Sequence, residues 1–426
     1  MKISKLKILL VVFGVLGFLY RLCLIKVGPQ EVLWDALEYS SLAQEYIHGH
    51  FGANCCNISG GYPMFIAVFY KLFGGDNFQA VRVGQAILEI ITALLLYAAA
   101  LRLFRNRNTS LVVFTLYIIN PFTASYTGLL LTEALTFTAV AAIIWFLADS
   151  GFGRRKRHLF ILGLFLGILV LIKVSLYFLA VVSGVIIALS CVRNYRRLIP
   201  LWVLFGLGFV LASAFSIYTN YTSYRKISIR PPYRVLGGAL YTSFFKGKSG
   251  ELANEPVAMH PEFEQFIKFY YIKYHYETDT LPGYDRMYMD KFKNKLRSDW
   301  PQFIRNWVRN ALWTWDKYHL FTYEDPWYPR DKIPVRTVNI LLLLLHGFGL
   351  MVYIKSTAFK NKPLLIFGGL LFLYISLTYP MINNETRLSL PYYPVMILWA
   401  GYGLSKIQNL PQRPRFGGQA KLEFKN

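Results

Sequence analysis

The sequence predicts an all-α polytopic membrane protein of about ten transmembrane helices, and two observations carry that prediction. Apolar stretches of roughly 16 to 24 residues recur along the chain, as at Ile8 to Ile25, Gly128 to Ala148 and Leu201 to Ile217, and match the length that spans a bilayer. Between them, clusters of Lys and Arg alternate with short connectors that hold almost none. With 55% of its 426 residues hydrophobic and 16% charged, the chain carries more apolar side chain than one water-soluble core needs.

The basic clusters orient the helices. Lys2, Lys5 and Lys7 come first, then Arg102, Arg105 and Arg107, Arg154 to Arg157, Arg193, Arg196 and Arg197, Lys355, Lys360 and Lys362, and finally the tail after Lys406. By the positive-inside rule these mark cytoplasmic loops, and the long basic segment 219–335 exceeds the length over which that rule applies. The formal net charge of +23 therefore belongs to membrane topology, and its placement excludes nucleic acid as a partner. Ten spans follow, at 7–27, 81–104, 109–122, 128–148, 158–173, 175–192, 198–218, 336–354, 363–379 and 388–405, with both termini in the cytoplasm. The basic start followed by an apolar run to Ile25, with no small-residue cleavage pattern, reads as a retained first helix. The localisation expected is a multi-pass plasma or inner membrane protein whose chemistry lies on the extracytoplasmic face.

Four segments organise the chain: an N-terminal transmembrane catalytic module, 1–218, including an outer loop at 28–80; an extracytoplasmic loop of about 115 residues with amphipathic helices, 219–335; C-terminal transmembrane helices, 336–410; and a cytoplasmic tail, 411–426. In the first outer loop Tyr39 to His48 is amphipathic, and Gly60-Gly61-Tyr62-Pro63 leads into a second apolar helix, Met64 to Phe73. In the second, Tyr284 to Trp315 reads as two helices broken at Pro301, with Trp300, Phe303, Trp307, Leu312 and Trp315 on recurring faces. Such aromatic and basic helices commonly lie among lipid headgroups, and the sharper alternative is a cover over substrate. Of the four cysteines, Cys23 and Cys191 sit inside apolar spans as packing, and Cys55 and Cys56 are read as free thiols on the outer side.

Ionisable residues in or at the ends of spans are costly, and so they are the first candidates for chemistry. They comprise Arg82 and Glu89 in the second span, Glu133 in the fourth, Lys173 between the fifth and sixth, and Arg387 before the tenth. All except Glu89 fall toward the outer surface, where Asp35, Glu38 and Glu45 also lie. Carboxylates gathered with isolated cations suit transfer from a phosphate-linked donor. A carboxylate, Asp35, accepts the proton of the attacking hydroxyl. Arg387, by a forked contact, and Lys173, as a point charge, stabilise the departing phosphate.

At Asp35 the residues also carry a resemblance. Trp34-Asp35-Ala36-Leu37-Glu38-Tyr39 resembles the D-x-x-x-Y signature that opens the first extracytoplasmic loop of GT-C glycosyltransferases. Asn120-Pro121-Phe122 followed by Leu130-Leu131-Thr132-Glu133-Ala134-Leu135, and the hairpin Leu171-Ile172-Lys173-Val174-Ser175, are similar to stretches of the branch of protein O-mannosyltransferases and lipid A aminoarabinose transferases. Glu385-Thr386-Arg387-Leu388, with Pro391 and Pro394, resembles that branch's late motif, although Leu388 stands where Tyr is usual. Ala36 stands where the protein O-mannosyltransferases usually have a second acid. The resemblance implies a GT-C fold and an inverting transfer of a sugar from a polyprenyl or dolichyl phosphate, with the first-loop Asp as base.

The expected site is then Asp35 and Glu133 as catalytic residues, Lys173, Arg387 and Arg82 as binders of the donor phosphate, and Tyr39, Glu38, Tyr62 and Glu385 as substrate-positioning residues. Partners are the polyprenyl-phosphate sugar, a lipid, glycan or protein acceptor, and membrane lipids. No cofactor is indicated: His48 and His50 flank Gly49 beside Glu45 and read as solvent-exposed, although other GT-C branches use a divalent cation. Two other functions compete. An O-antigen ligase or polysaccharide polymerase would use His260, His275 and His319 of the late loop, and a lipid-linked sugar transporter would use Glu89 near the midplane.

Overall fold

The structure is a computed structural model and describes residues 3–52, 58–149, 151–152, 157–190, 198–230, 236–245, 261, 264, 281–357, 361–382 and 385–408. Cys55, Cys56, Cys191, His260, His275 and the tail 411–426 lie outside the described residues. Each of the ten expected apolar stretches contains a helix, though not each is one unbroken helix: α1 (Ile3–Val27), α4 (Phe78–Phe104), α5 (Arg107–Ile119), α7 (Glu133–Leu147), α8 (Arg157–Ile172), α9 (Tyr177–Ser190), α10 (Leu198–Ala212), α15 (Lys332–Thr357), α16 (Lys362–Thr378) and α17 (Tyr393–Gln408). Among the described residues, four (α1, α4, α15 and α16) are long and apolar enough to cross a membrane. A fifth span results when α10 and α11 (Ala214–Tyr224), bent by 58° at Ser213, count as one.

The other apolar helices are shorter because the chain breaks inside the apolar run. Asn120 caps a separate short helix, α6 (Pro121–Ser125), by accepting from the Thr123 N–H at 3.0 Å, so the third helix ends at Ile119 rather than at Phe122. Lys173 to Leu176 unwinds the chain between α8 and α9. Cys23, expected as packing, faces outward from α1, beside exposed Leu16 and Leu19. Those residues continue an apolar surface along α1 that includes Ile8, Val11, Val12 and Val15, the exposure expected of a helix that meets lipid.

Small residues let the helices approach. A Cβ on Gly163 of α8 would lie 2.2 Å from the Phe205 carbonyl oxygen of α10, and one on Gly208 of α10 would lie 2.2 Å from that of Phe160. Close glycine contacts of this kind drive helix pairing in lipid, where the hydrophobic effect between helices is absent. Gly163→Val should therefore lower the unfolding free energy by at least about 2 kcal/mol. Gly206→Ala, where the new methyl meets open space, should leave it near wild type, and thermal unfolding in detergent micelles separates the two.

A buried ion pair ties α1, α4 and α5. Arg21 Nη2 lies 3.4 Å from Glu89 Oε2, Arg21 Nη1 donates to the Ile118 carbonyl at 3.0 Å, and the Tyr117 hydroxyl donates to Glu89 Oε2 at 2.8 Å. Both side chains are fully buried, so Glu89 is spent on helix packing. Sequence inspection singled out Glu89 and passed over Arg21.

Two helices lie between α1 and α4. α2 (Asp35–Ile47) begins four residues before the amphipathic pattern at Tyr39, which puts Asp35 and Glu38 in its first turn, where carboxylates complement the helix dipole. α3 (Gly61–Phe73) starts at Gly61, where a Cβ would lie 2.5 Å from the Leu171 carbonyl. That glycine, with the Ser59 hydroxyl donating to the Ile172 carbonyl at 2.7 Å, brings the start of α3 against the end of α8 and beside Lys173. Following α12 (Leu236–Thr242), α13 (Leu281–Ser298) and α14 (Trp300–Trp315) separate at Asp299, which caps α14, while Pro301 occupies its first turn instead of the break.

Candidate active site

Asp35 and Tyr39 are four residues apart on α2 and so share a face. Tyr39 packs edge-on against Tyr62 of α3, ring centroids 5.0 Å apart, and Ser40 hydrogen-bonds the Tyr70 hydroxyl at 2.8 Å. These contacts fix α2 on α3. The Asp35 side chain remains 46% exposed, so a substrate group can reach it.

Arg387 is brought to it from the far end of the sequence. Residues Thr386–Tyr392 form a 3₁₀ helix that leads into α17, and Glu385 precedes it with extended backbone. Arg387 Nη2 donates to Asp35 Oδ2 at 2.9 Å, Nε donates to Glu385 Oε2, and Nη1 donates to the Tyr323 hydroxyl at 3.1 Å. The guanidinium is thus held by three side chains, one on each of its three nitrogens. Burial alone would push the Arg387 pKa down. Glu385, Tyr323, Asp35 and Glu133 outweigh that effect and raise it well above its ordinary value, so the group stays charged.

Tyr323 reaches Arg387 through a tight turn. The Asp325 carboxylate accepts from the backbone N–H groups of Leu320 at 2.8 Å, Phe321 at 3.4 Å and Trp327 at 3.0 Å. Tyr323 stands within that turn at φ 71°, a left-handed conformation that is strained for a tyrosine and recurs at functional sites. Phe321 anchors the turn against Leu24 and Ala124. Burial, ahead of the neighbouring charges, raises the Tyr323 pKa and keeps its hydroxyl protonated.

Glu133, in the first turn of α7, accepts from Lys173 Nζ at 3.0 Å, and the same ammonium donates to Thr132 Oγ1 at 3.2 Å. Glu133 Oε2 is buried with no hydrogen-bond partner among the described residues. α7 packs on the Thr386–Tyr392 segment that carries Arg387, and the Glu133 charge adds to the upward push on the Tyr39, Tyr323 and Arg387 pKa values.

Of the sequence-expected residues, the structure thus gathers Asp35, Tyr39, Glu133, Lys173, Glu385 and Arg387. Glu38 borders them: burial, then the Asp35 charge, raises its pKa from 4.5 to about 7. Tyr62 stands behind Tyr39, fully buried, its hydroxyl donating to Gln85 Oε1 at 2.8 Å. Arg82 does not join. Its guanidinium donates to Gln30 Oε1 and to the Gln30 carbonyl, both at 3.0 Å, and thereby clamps the segment between α1 and α2 onto α4. His319 is buried beside Tyr318. His48 and His50 are exposed at the end of α2, and among the described residues no three His, Cys, Asp or Glu side chains converge to hold a metal ion. Sequence reasoning missed Tyr323 and Thr132; Thr132 could have been found as the neighbour of Glu133, whereas nothing in the pattern around Tyr323 marked it.

The Glu38 shift has a consequence for stability. A carboxyl whose pKa is higher folded than unfolded binds its proton more tightly in the native state, so stability falls as pH rises from about 4.5 to about 7 and is level above that. Relative to wild type, Glu38→Gln should gain thermal stability across that window and hold a constant advantage above it. Melting temperatures of both proteins at pH 4.5, 6 and 8 test this, and parallel curves would contradict it.

Residues 61–218 match the family described as dolichyl-phosphate-mannose-protein mannosyltransferase, a match that includes Glu133 and Lys173 and points to a glycosyltransferase. No curated protein matches the chain by sequence. Among solved structures, the oligosaccharyltransferase of Archaeoglobus fulgidus in its apo form is similar over 93% of this chain and 50% of that one, at 12% identity and a TM-score of 0.52. The archaeal oligosaccharyltransferase AglB from the same organism, in complex with an inhibitory peptide and a dolichol-phosphate, is similar over the same shares at 12% identity and a TM-score of 0.51. The chain spans half the length of these structures, and the likeness shows the fold, a GT-C-like architecture whose elements among the described residues are helices.

Proposed function

We propose that this protein is an inverting glycosyltransferase that moves a sugar from a polyprenyl or dolichyl phosphate to a cell-envelope or protein acceptor on the extracytoplasmic face. The observation that carries the proposal is the ion pair between half-exposed Asp35 and part-buried Arg387, built from opposite ends of the chain and framed by Glu385 and Tyr323. The family match and the dolichol-phosphate bound to a protein of the same fold support a lipid-phosphate donor.

The chemistry follows from that pair. In the free protein Arg387 holds Asp35 at 2.9 Å. A donor phosphate offers the guanidinium a competing anion, and when it takes the Nη2 contact the Asp35 carboxylate is released toward solvent and the acceptor. The acceptor hydroxyl attacks the anomeric carbon on the face opposite the phosphate while its proton passes to Asp35. The bond between that carbon and the phosphate oxygen breaks with its electron pair on oxygen, so one displacement inverts the configuration. The new polyprenyl phosphate is stabilised by Arg387 and, in this reading, by Lys173, which gives up part of its contact with Glu133. Tyr39 and Glu385 hold the reacting groups in line, with Glu38 and Tyr62 supporting them. Glu89, on which a transporter reading would rely, is engaged with Arg21.

Membranes carrying the protein, supplied with polyprenyl-phosphate and polyprenyl-diphosphate sugars, test the donor class. Consumption of one monophosphate donor is expected. Consumption of diphosphate-linked glycans alone would favour the ligase or polymerase class instead.

A further inference from the structure

The exposed and buried faces of α14 are reversed relative to a helix at a water interface. Its buried side is led by polar residues, Asn306, Asn310 and Thr314, with Phe303. Its exposed side is Trp300, Ile304, Val308 and Leu312, at 62%, 39%, 53% and 70% exposure. Four-residue spacing puts those four in one row along the helix. A water-soluble helix turns its apolar row inward, so this row needs an apolar medium outside the protein.

One edge of the row is pinned at the end of a membrane helix. Trp307 Nε1 donates to the Leu377 carbonyl at 2.9 Å, and Trp315 Nε1 donates to Ser376 Oγ at 3.0 Å, at the C-terminal end of α16. There Phe372, Leu373 and Leu377 are themselves exposed, so the apolar row of α14 continues the lipid-facing surface of α16. Arg305 and Arg309, each one residue on from Ile304 and Val308, line the other edge. The helix pair is basic as a whole: residues 281–315 hold seven Lys or Arg against three Asp. Asp285 accepts from the Gly237 N–H at 2.6 Å, Asp290 pairs with Lys293 at 3.5 Å and Asp299 with Lys295 at 3.6 Å, so on α14 itself the charges flanking the row are exposed Arg305 and part-buried Arg309, whose guanidinium also lies 4.8 Å from the Trp313 ring centre.

We infer that α14 is a docking surface for a leaflet of acidic phospholipid, its apolar row seated among acyl chains and Arg305 and Arg309 contacting the headgroup phosphates. Tryptophan at the end of the row and arginine along its edge suit the interfacial layer, and each cation near an anionic surface contributes about 1 kcal/mol. This inference is independent of the transfer reaction.

The test uses the full chain in nanodiscs of mixed phosphatidylglycerol and phosphatidylcholine, with the lipids retained on release counted by native mass spectrometry. Wild type is expected to retain phosphatidylglycerol preferentially. Arg305→Gln with Arg309→Gln should weaken that preference at least about five-fold, the equivalent of one lost cation contact, and Arg305→Lys should keep most of it. Lys5→Gln with Lys7→Gln, which removes the same charge from the N-terminal end of α1, should change it little. Equal preference in all four proteins would overturn the inference. So would the finding that Trp300→Ser with Leu312→Ser leaves lipid retention intact but abolishes self-association, because the row would then be covered by a second copy of the chain.

Discussion

Asp35→Asn is expected to reduce the rate of sugar transfer by about 10² to 10⁴-fold, the range associated with loss of a general base, while leaving the protein folded. The amide can still accept from Arg387 Nη2, at the position where Asp35 Oδ2 accepts at 2.9 Å, so the link between α2 and the segment before α17 is kept. What disappears is the capacity to take a proton. Initial rates from the donor identified for wild type, together with melting temperatures, check both halves of the expectation. A loss of rate accompanied by a large loss of stability would mean that Asp35 acts as a structural tie.

Arg387→Ala should cost more than catalysis. It removes the group placed to stabilise the departing phosphate, worth roughly 10² to 10³-fold in rate for a single preorganised contact. It also leaves Asp35 and Glu385 as neighbouring anions without their common cation. Stability should therefore fall too. Arg387→Lys separates the two effects. An ammonium restores the charge but cannot reproduce contacts to Asp35, Glu385 and Tyr323 together, so stability should recover further than activity.

Several of the positions gathered at the site were legible in the sequence for one physical reason: ionisable side chains at the ends of apolar stretches are rare. Glu133, Lys173 and Arg387 stood out on that ground, Asp35 as a carboxylate in the adjoining outer segment, and Glu385 through the resemblance of the late motif alone. Arg82 satisfied the same criterion yet is elsewhere, because its partners are Gln30 and backbone carbonyls, which no charge inventory reveals. Tyr323 was hidden for the opposite reason. It lies in a segment without periodicity, and its place depends on the Asp325 turn and on Phe321 packing against the end of α1. Arg21 escaped notice inside the first apolar run, although its pairing with Glu89 decides what Glu89 does.

The helical architecture was legible from hydropathy, and the lengths of the spans were not. A hairpin apex such as Lys173 to Leu176, or the bend at Ser213, is flanked by apolar residues on both sides and reads as continuous. Nor does hydropathy distinguish a lipid-facing helix from a central one. Leu16 of α1 is 54% exposed, whereas Tyr393 to Gly403 of α17 are buried throughout. The reversed faces of α14 likewise emerge only when burial is known.

The most direct measurement of the proposed function is transfer of radiolabelled sugar from a polyprenyl monophosphate by the purified chain in proteoliposomes, with the anomeric configuration of the product determined. The account predicts an inverted product from wild type, release of polyprenyl phosphate in equal amount, and transfer slowed by at least about 10²-fold in folded Asp35→Asn. A retained configuration, or transfer by Asp35→Asn at the wild-type rate, would contradict it.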